Sequence, residues 1–324
     1  MQSTAVLSTG DAPEWVRGEP DKYPNYQYLS ATGSAAKAEP AKAWALSNLA
    51  KIFEVQIREV STTQSDVLSN LKDGLETVEK NQRIASTVNL NTEKMIQGAR
   101  IAEQWQSSVD LTYHVLAVLD RTQAGNNIRG EMNRLDEETQ FSLNQLEKRN
   151  NVLLKISDLH RANTLQQDRY TLQKTLKIID LQGKGIPAYW NLASLNERLQ
   201  HALRSLPLQT VANVDDIGGL SNILQSAASK AGFSVDDRGN QGKAYQLAAS
   251  LVAQEPFKKN GWHWLRAILK LELIAEDGLT VVGYQTWPLK ASAVSPSQLK
   301  PRMRKSVDKK LKQELLSSIL EFVR

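Results

Sequence analysis

Residues 26–63 read YQYLSATGSAAKAEPAKAWALSNLAKIFEVQIREVSTT, and the first domain is organised outward from them. Residues 26–31 are rich in aromatic side chains and predict a short strand. Gly33-Ser34 is expected to break it. Residues 35–52 predict a helix, in which Pro40 is tolerable only near the first turn, where its missing N–H leaves no bond unmade. Phe53, Val55 and Ile57 then alternate with Glu54, Gln56 and Arg58, the period of a half-buried strand. The helix must bury its Ala45, Leu49 and Ile52 side on these strands. No catalytic constellation lies in the stretch.

Before it, residues 1–25 are polar and punctuated by Pro13, Pro20 and Pro24, which predicts an extended tether. Asp11-Ala-Pro-Glu-Trp15-Val is its one adhesive point, and Trp15 is expected to dock in a groove of the first domain. After it, Leu68, Leu71, Leu75 and Val78 recur at helical spacing and predict a helix over residues 66–80. Residues 98–106 and 111–120 predict an antiparallel pair, the second nearly all apolar as a strand buried on both faces would be. His114 in that run reads as a core or edge histidine. The first domain thus spans residues 26–121 as a helix on an antiparallel sheet.

Residues 122–206 predict a helical spacer. Ile128, Met132, Leu135, Thr139 and Leu146 follow a heptad-like seam, which Leu153, Ile156, Leu159, Leu165, Leu172 and Leu176 continue with slips. A single helix over residues 122–179 would be about 87 Å long. A hairpin turning near Asn150-Asn151 is preferred, with a projecting coiled coil as the competing form. Gly183-Lys-Gly185 lacks the spacing of a phosphate loop. A short helix follows over residues 190–203.

Residues 207–324 form a second domain. Asp215-Asp216 is expected to cap a helix carrying Leu220, Ile223, Leu224, Ala227 and Ala231 on one face, with Gly232 at its C-terminal end. Strands are predicted at residues 233–235, 244–253, 262–275 and 279–287, with Glu276-Asp277-Gly278 as a tight turn. Leu265, Ala267, Leu269, Leu271 and Leu273 share one face of the long strand. The expected architecture is a helix on an antiparallel meander, completed by an amphipathic helix over residues 300–324 with Leu311, Leu315, Ile319 and Leu320 as its stripe. The fold class is α+β.

Composition narrows the function. The 324 residues contain no cysteine, which excludes thiol catalysis and cysteine-ligated metal within this chain. His114, His160, His201 and His263 form no metal-ligand spacing, so no metal, cofactor or catalytic residue is assigned. No apolar run is long enough to span a bilayer, and residues 1–25 carry no signal-peptide core. The segment from Lys300 onward has eight basic residues and three acids, so it accounts for the whole net charge of +5. A basic end of this kind meets anionic lipid, nucleic acid or an acidic partner.

Pro13-Glu-Trp-Val, then Tyr28-Leu-Ser-Ala-Thr-Gly33-Ser, then the Ala-rich helix over residues 43–50 leading into Phe53-Glu-Val-Gln-Ile, resembles the Lpp-twenty family of bacterial lipoproteins. Gly98-Ala-Arg-Ile101 and residues 113–120 resemble that family's later strands, so the likeness covers residues 11–121. The resemblance implies an envelope protein held on the periplasmic face of the outer membrane by an N-terminal lipid, with a non-enzymatic structural or protein-interaction role; some members serve the flagellar base. It implies no catalytic residues. The chain departs from the family in lacking the lipobox cysteine, for which Met1 would be the replacement.

The leading expectation is therefore a non-enzymatic envelope lipoprotein. Its partners are other envelope proteins, the outer membrane, and a second copy through the helical region; nucleic acid is disfavoured. The candidate surface comprises Trp262 and Trp264, read as lying on one side of the long strand next to Tyr284 or Trp287 of its partner strand, and Lys305, Lys309, Lys310 and Lys312 on the last helix; the competing expectation is that the final helix or the first domain covers the tryptophans. A hydrolase using Asp236/Asp237 or Glu276/Asp277 is the first alternative, although acids in hairpin turns are usually solvated turn residues. A binder of nucleic acid or anionic surfaces through the basic helix is the second. That helix has no aromatic platform except Phe322.

Overall fold

The computed structural model describes residues 7–8, 11–18, 20–52, 98–235 and 244–323. The strand expected over residues 53–57, the helix expected over 66–80, and Asp236/Asp237 lie outside the described residues. The fold is α+β, with an N-terminal sheet, long central helices, and a C-terminal sheet and helix. Two compact units divide it: Met1–Glu138 with Thr164–Tyr189, and Thr139–Asn163 with Trp190–Arg324. The long helices are thereby shared between the two units.

In the first unit, β1 (Leu7–Ser8), β2 (Tyr28–Ala35), β3 (Arg100–Gln106) and β4 (Tyr113–Asp120) form a sheet of order β1-β3-β4-β2. β4 runs antiparallel to both β2 and β3, while β1 adds a parallel edge on β3. Val115, Ala117 and Leu119 bury one face of β4 against Ala41, Ala45, Leu49 and the long helices. Leu116 and Val118 bury the other against Trp15, Tyr23 and Trp105. Burial on both faces is why this strand reads as a continuous apolar run. The stretch read as a tether contributes to the unit: Trp15 sits in α1 (Glu14–Arg17) and is buried, as expected for a docked indole.

Two boundaries differ from the sequence expectation. Gly33 does not break β2; the strand continues to Ala35. A Cβ at Gly33 would stand 2.2 Å from the Ala45 nitrogen and 2.5 Å from the Ala41 oxygen. The glycine is there so that helix α2 (residues 38–52) can lie directly on the strand backbone. Leu111 does not start β4. It takes φ 58° in the turn closed by Ser107 and Thr112, and the strand begins two residues later.

The helical region is a hairpin of α3 (Arg121–Leu146) and α4 (Val152–Ile179). Asn151 Oδ1 caps α4, accepting from the Leu153 and Leu154 amides at 2.8 and 3.3 Å. Arg121 fixes the other end, donating to the Ile178 and Ile179 carbonyls at 3.2 and 3.0 Å and to the Asn25 carbonyl at 2.7 Å. A cation on the last carbonyls of a helix also complements its dipole. Within the first unit, Asp136 accepts from Arg169 at 2.8 Å and from Gln166 at 3.0 Å, and Arg169 also donates to the Pro187 carbonyl at 2.9 Å. The apolar seam feeds two cores: Ile128, Met132, Leu135, Leu172 and Leu176 serve the first unit, and Leu153, Ile156 and Leu159 the second.

The second unit holds α5 (Leu192–Ser205), β5 (Leu208–Asp215), α6 (Leu220–Lys230), β6 (Tyr245–Ala253), β7 (Phe257–Lys259), β8 (Trp262–Ile274), β9 (Val281–Ala293) and α7 (Leu299–Glu321). The sheet is mixed, not an all-antiparallel meander, because β5 pairs in parallel with β6 and α6 is the crossover between them. β5 is a half-buried edge strand in which only Leu208 is fully buried, so its sequence carries little apolar signal. Asp215 Oδ1 and Oδ2 cap the turn into α6, accepting from Gly218 and Leu220 at 2.8 Å each. Gly232 takes φ 99° after α6, where a C-terminal glycine was expected. Leu265, Ala267, Leu269, Leu271 and Leu273 of β8 are buried with Met303, Val307, Leu311, Leu315, Ile319 and Leu320 of α7.

Candidate interaction surfaces

The outer face of the C-terminal sheet follows from strand register. Directly opposed residues in an antiparallel pair point to the same side. Since β8 buries its odd-numbered residues from Leu265 to Leu273, its even-numbered residues face outward. Trp264 is opposite Ser292, Arg266 opposite Lys290, Ile268 opposite Pro288, Lys270 opposite Thr286, and Glu272 opposite Tyr284. On the other side of β8, Ile268 meets Val252. Val252 and Ile268 are 53% and 51% exposed, so this outer row is apolar and open among the described residues.

The structure divides the four aromatic candidates. Trp262 is 43% exposed, and Trp264 is half-buried with an indole N–H that has no hydrogen-bond partner among the described residues. Tyr284 lies eight residues further along the register than Trp264, about 26 Å away at the usual rise per residue. Trp287 is on the opposite face: it pairs with Leu269, is buried, and has the Lys310 ammonium 5.8 Å from its ring centroid. Tyr284 and Trp287 differ by an odd number of positions, so a strand cannot present both outward.

A hairpin that the sequence reading passed over stands beside the two tryptophans. Residues 257–264 read FKKNGWHW, and Asn260-Gly261 turns β7 into β8 with φ values of 52° and 79°. Asn-Gly between two such segments is the strongest short hairpin signal. Phe257 pairs with Trp264, and Lys259 with Trp262. The Arg266 guanidinium lies 5.1 Å from the centroid of the Phe257 ring.

The four lysines of α7 fall into two kinds. Lys305 and Lys309 are exposed. Lys310 is half-buried beside Trp287 and bonds Glu314 at 3.3 Å, and Lys312 pairs with Asp308 at 2.7 Å. Two of the four are therefore partly neutralised within their own helix.

The carboxylate pair weighed for hydrolysis is a turn. The Thr280 hydroxyl at 2.5 Å, with the Thr280 and Leu279 amides, holds Asp277 well below its ordinary range, at about 2. Such a group stays ionised and accepts hydrogen bonds; a general acid needs a raised value. Among the described residues, no three of His, Asp and Glu gather as metal ligands. No described helix is long and apolar enough to cross a membrane.

The first unit has a cleft of about 430 Å³ whose lining includes Trp15, Thr32, Gly33, Trp44, Asn48 and His114. The His114 ring lies 5.3 Å from that of Trp105 between centroids, tilted at 43° to it. Asn48 donates to the Thr32 carbonyl at 2.9 Å, tying α2 to β2 at the cleft.

The model of the LPP20 lipoprotein family matches residues 13–120, the stretch in which the sequence resemblance was seen. A search of curated proteins gives no match. Among solved structures, the secreted protein HP1454 from Helicobacter pylori is 16% identical over 89% of this chain and 98% of its own, with a TM-score of 0.45. A minor lipoprotein from Acinetobacter baumannii is 14% identical over 35% of this chain and 90% of its own, with a TM-score of 0.28.

Proposed function

We propose that this protein is a non-catalytic lipoprotein of a Gram-negative envelope, held at the periplasmic face of the outer membrane by an N-terminal lipid and acting as a structural or protein-interaction module. The observation that carries the reading is the match of residues 13–120 to the LPP20 lipoprotein family. The Asp277 turn supports the non-catalytic part, since its carboxylate is engaged by three hydrogen bonds in a connection of the sheet. Assembly with other envelope proteins, including structures of the flagellar-base kind, is the role such a module serves.

The test is lipoprotein maturation in the producing cell. Globomycin blocks the peptidase that matures lipoproteins, so treated cells should accumulate a slower-migrating precursor of this protein. Unchanged mobility under treatment sinks the lipid anchor and with it the envelope assignment.

A further inference from the structure

We infer that the β7–β8 hairpin and the adjoining outer face of β8 and β9 form a membrane-contact surface that recognises an anionic bilayer. The proposal does not rest on the N-terminal lipid, because the hairpin lies in the second unit and its chemistry is tested on vesicles with no anchor present.

Sheet register places the relevant side chains on one side. Starting from the turn, the outward positions are Lys259 with Trp262, then Phe257 with Trp264, then Arg266 with Lys290, then Val252 with Ile268. Lys259, Arg266 and Lys290 are exposed, as are Phe257, Trp262 and Ile268. Cations and aromatic rings thus alternate along this end of the sheet. Glu272, the acid on the same face among the described residues, is at the far end and is bonded to Lys270 at 2.7 Å. Glu255, exposed in the β6–β7 connection, is the acid nearest the hairpin in sequence. The end of the face carrying the aromatics is therefore positive.

This mixture separates two occupants. Cores of protein–protein interfaces are enriched in aromatic residues and Arg but depleted in Lys. The headgroup region of a bilayer takes indole rings at the level of the glycerol ester groups and draws Lys and Arg to its phosphates. Here exposed Lys259, Trp262 and Phe257 on a hairpin whose tip is Asn260-Gly261 stand beside exposed Lys290 of β9. The geometry fits phosphate-bearing lipid headgroups. The apolar row of Val252 and Ile268 supplies shallow burial behind the charges.

The experiment is cosedimentation of the purified full chain with vesicles. One set is pure phosphatidylcholine; the other has about 30% phosphatidylglycerol, at about 50 mM and again at about 500 mM NaCl. The expected result is binding to the anionic set alone, weakened by salt. The triple variant Lys259→Gln/Arg266→Gln/Lys290→Gln should lose roughly a hundredfold in affinity at low salt, at roughly fivefold per charge near the surface. Trp262→Ser should weaken binding at both salt concentrations. The pair Lys305→Gln/Lys309→Gln on α7 should bind as the parent does. All these positions are exposed, and an unchanged thermal melt confirms intact folding. Failure of the parent to bind anionic vesicles, equal binding to both vesicle sets, or loss of binding in the α7 pair in place of the hairpin triple overturns the proposal. So does capture of a protein partner through this face without lipid binding.

Discussion

Helix α2 in the first unit and helix α7 in the second both lie on a sheet, and they do so by opposite means. α2 presents Ala41 and Ala45 to β2 at Gly33, so that helix backbone meets strand backbone. α7 presents Leu299, Met303, Val307, Leu311, Leu315 and Ile319, and the sheet answers with leucines and alanines. Close backbone approach concentrates the fit at one position, where a single added carbon has nowhere to go. A stripe of large side chains spreads the energy over many contacts, each of which can relax partly when changed. The first device makes a contact intolerant of growth, and the second makes one intolerant of removal.

The sharpest way to break the second device is to take the helix away. Deleting residues 300–324 removes Met303, Val307, Leu311, Leu315, Ile319 and Leu320 from the core of the second unit. Each such side chain contributes about 1.5–3 kcal/mol on burial, and the total stability of a domain is only about 5–15 kcal/mol. The second unit should lose cooperative folding, read as loss of hydrogen-exchange protection in β8. Protection unchanged from the full chain shows α7 to be a free tail and returns its basic face to the partner-binding readings.

The first device is tested at two glycines. Gly33→Val should destabilise by about 3 kcal/mol or more, because its Cβ meets backbone atoms of α2 that cannot rotate away. Gly283 is the matched comparison in the second unit: a Cβ there stands 2.6 Å from the Phe322 side chain, near the end of the chain. Gly283→Ala should cost less, about 2 kcal/mol, since it meets one half-buried side chain at the C-terminal cap of α7 and no backbone atom. Urea unfolding of both variants decides it, and equal losses would remove the distinction between backbone and side-chain contact.

The same contrast explains what the sequence revealed. Features that rest on repeated apolar signals were legible: the β4 run, the alternation of β8, the stripe of α7. Gly33 was legible as unusual but not as to cause, because a glycine inside a strand pattern reads equally as a break or as a close approach. The Asp136–Arg169 pair was not legible. Its members stand 33 residues apart on different helices, and nothing local marks them. Arg169 is buried with its guanidinium bonded twice, so it belongs to packing within the first unit. Of the candidate surface, the shared face of Trp262 and Trp264 was legible because both are even-numbered positions of one alternating strand. The choice between Tyr284 and Trp287 as their neighbour stayed open, because register depends on the irregular step between Leu273 and Ile274, which the sequence does not announce. The Asn260-Gly261 hairpin was legible and was passed over in favour of the longer strand that follows it.

The smallest expected effect is at the turn that sets this register. The Thr280 hydroxyl is the main cause that pulls Asp277 down to about 2, followed by the amides of Thr280 and Leu279. In the unfolded chain the carboxyl titrates near its ordinary value of about 3.9. A group whose folded value is depressed adds stability that is fully present above the unfolded value and is lost as pH falls through the folded one. The turn should therefore weaken between about pH 4 and pH 2, with no change toward neutral pH. Because Asp277 is exposed and screened by solvent, the loss should be local and modest next to that of removing α7. Asp277→Asn keeps an acceptor oxygen but no charge, so its turn should show no dependence on pH in that window. Following the Thr280 amide resonance through an acid titration measures the group directly. A midpoint near 4 in the folded protein would mean that the hydroxyl and the two amides do not hold the carboxylate, and that the β8–β9 register is set by the packing of Trp287 and its neighbours alone.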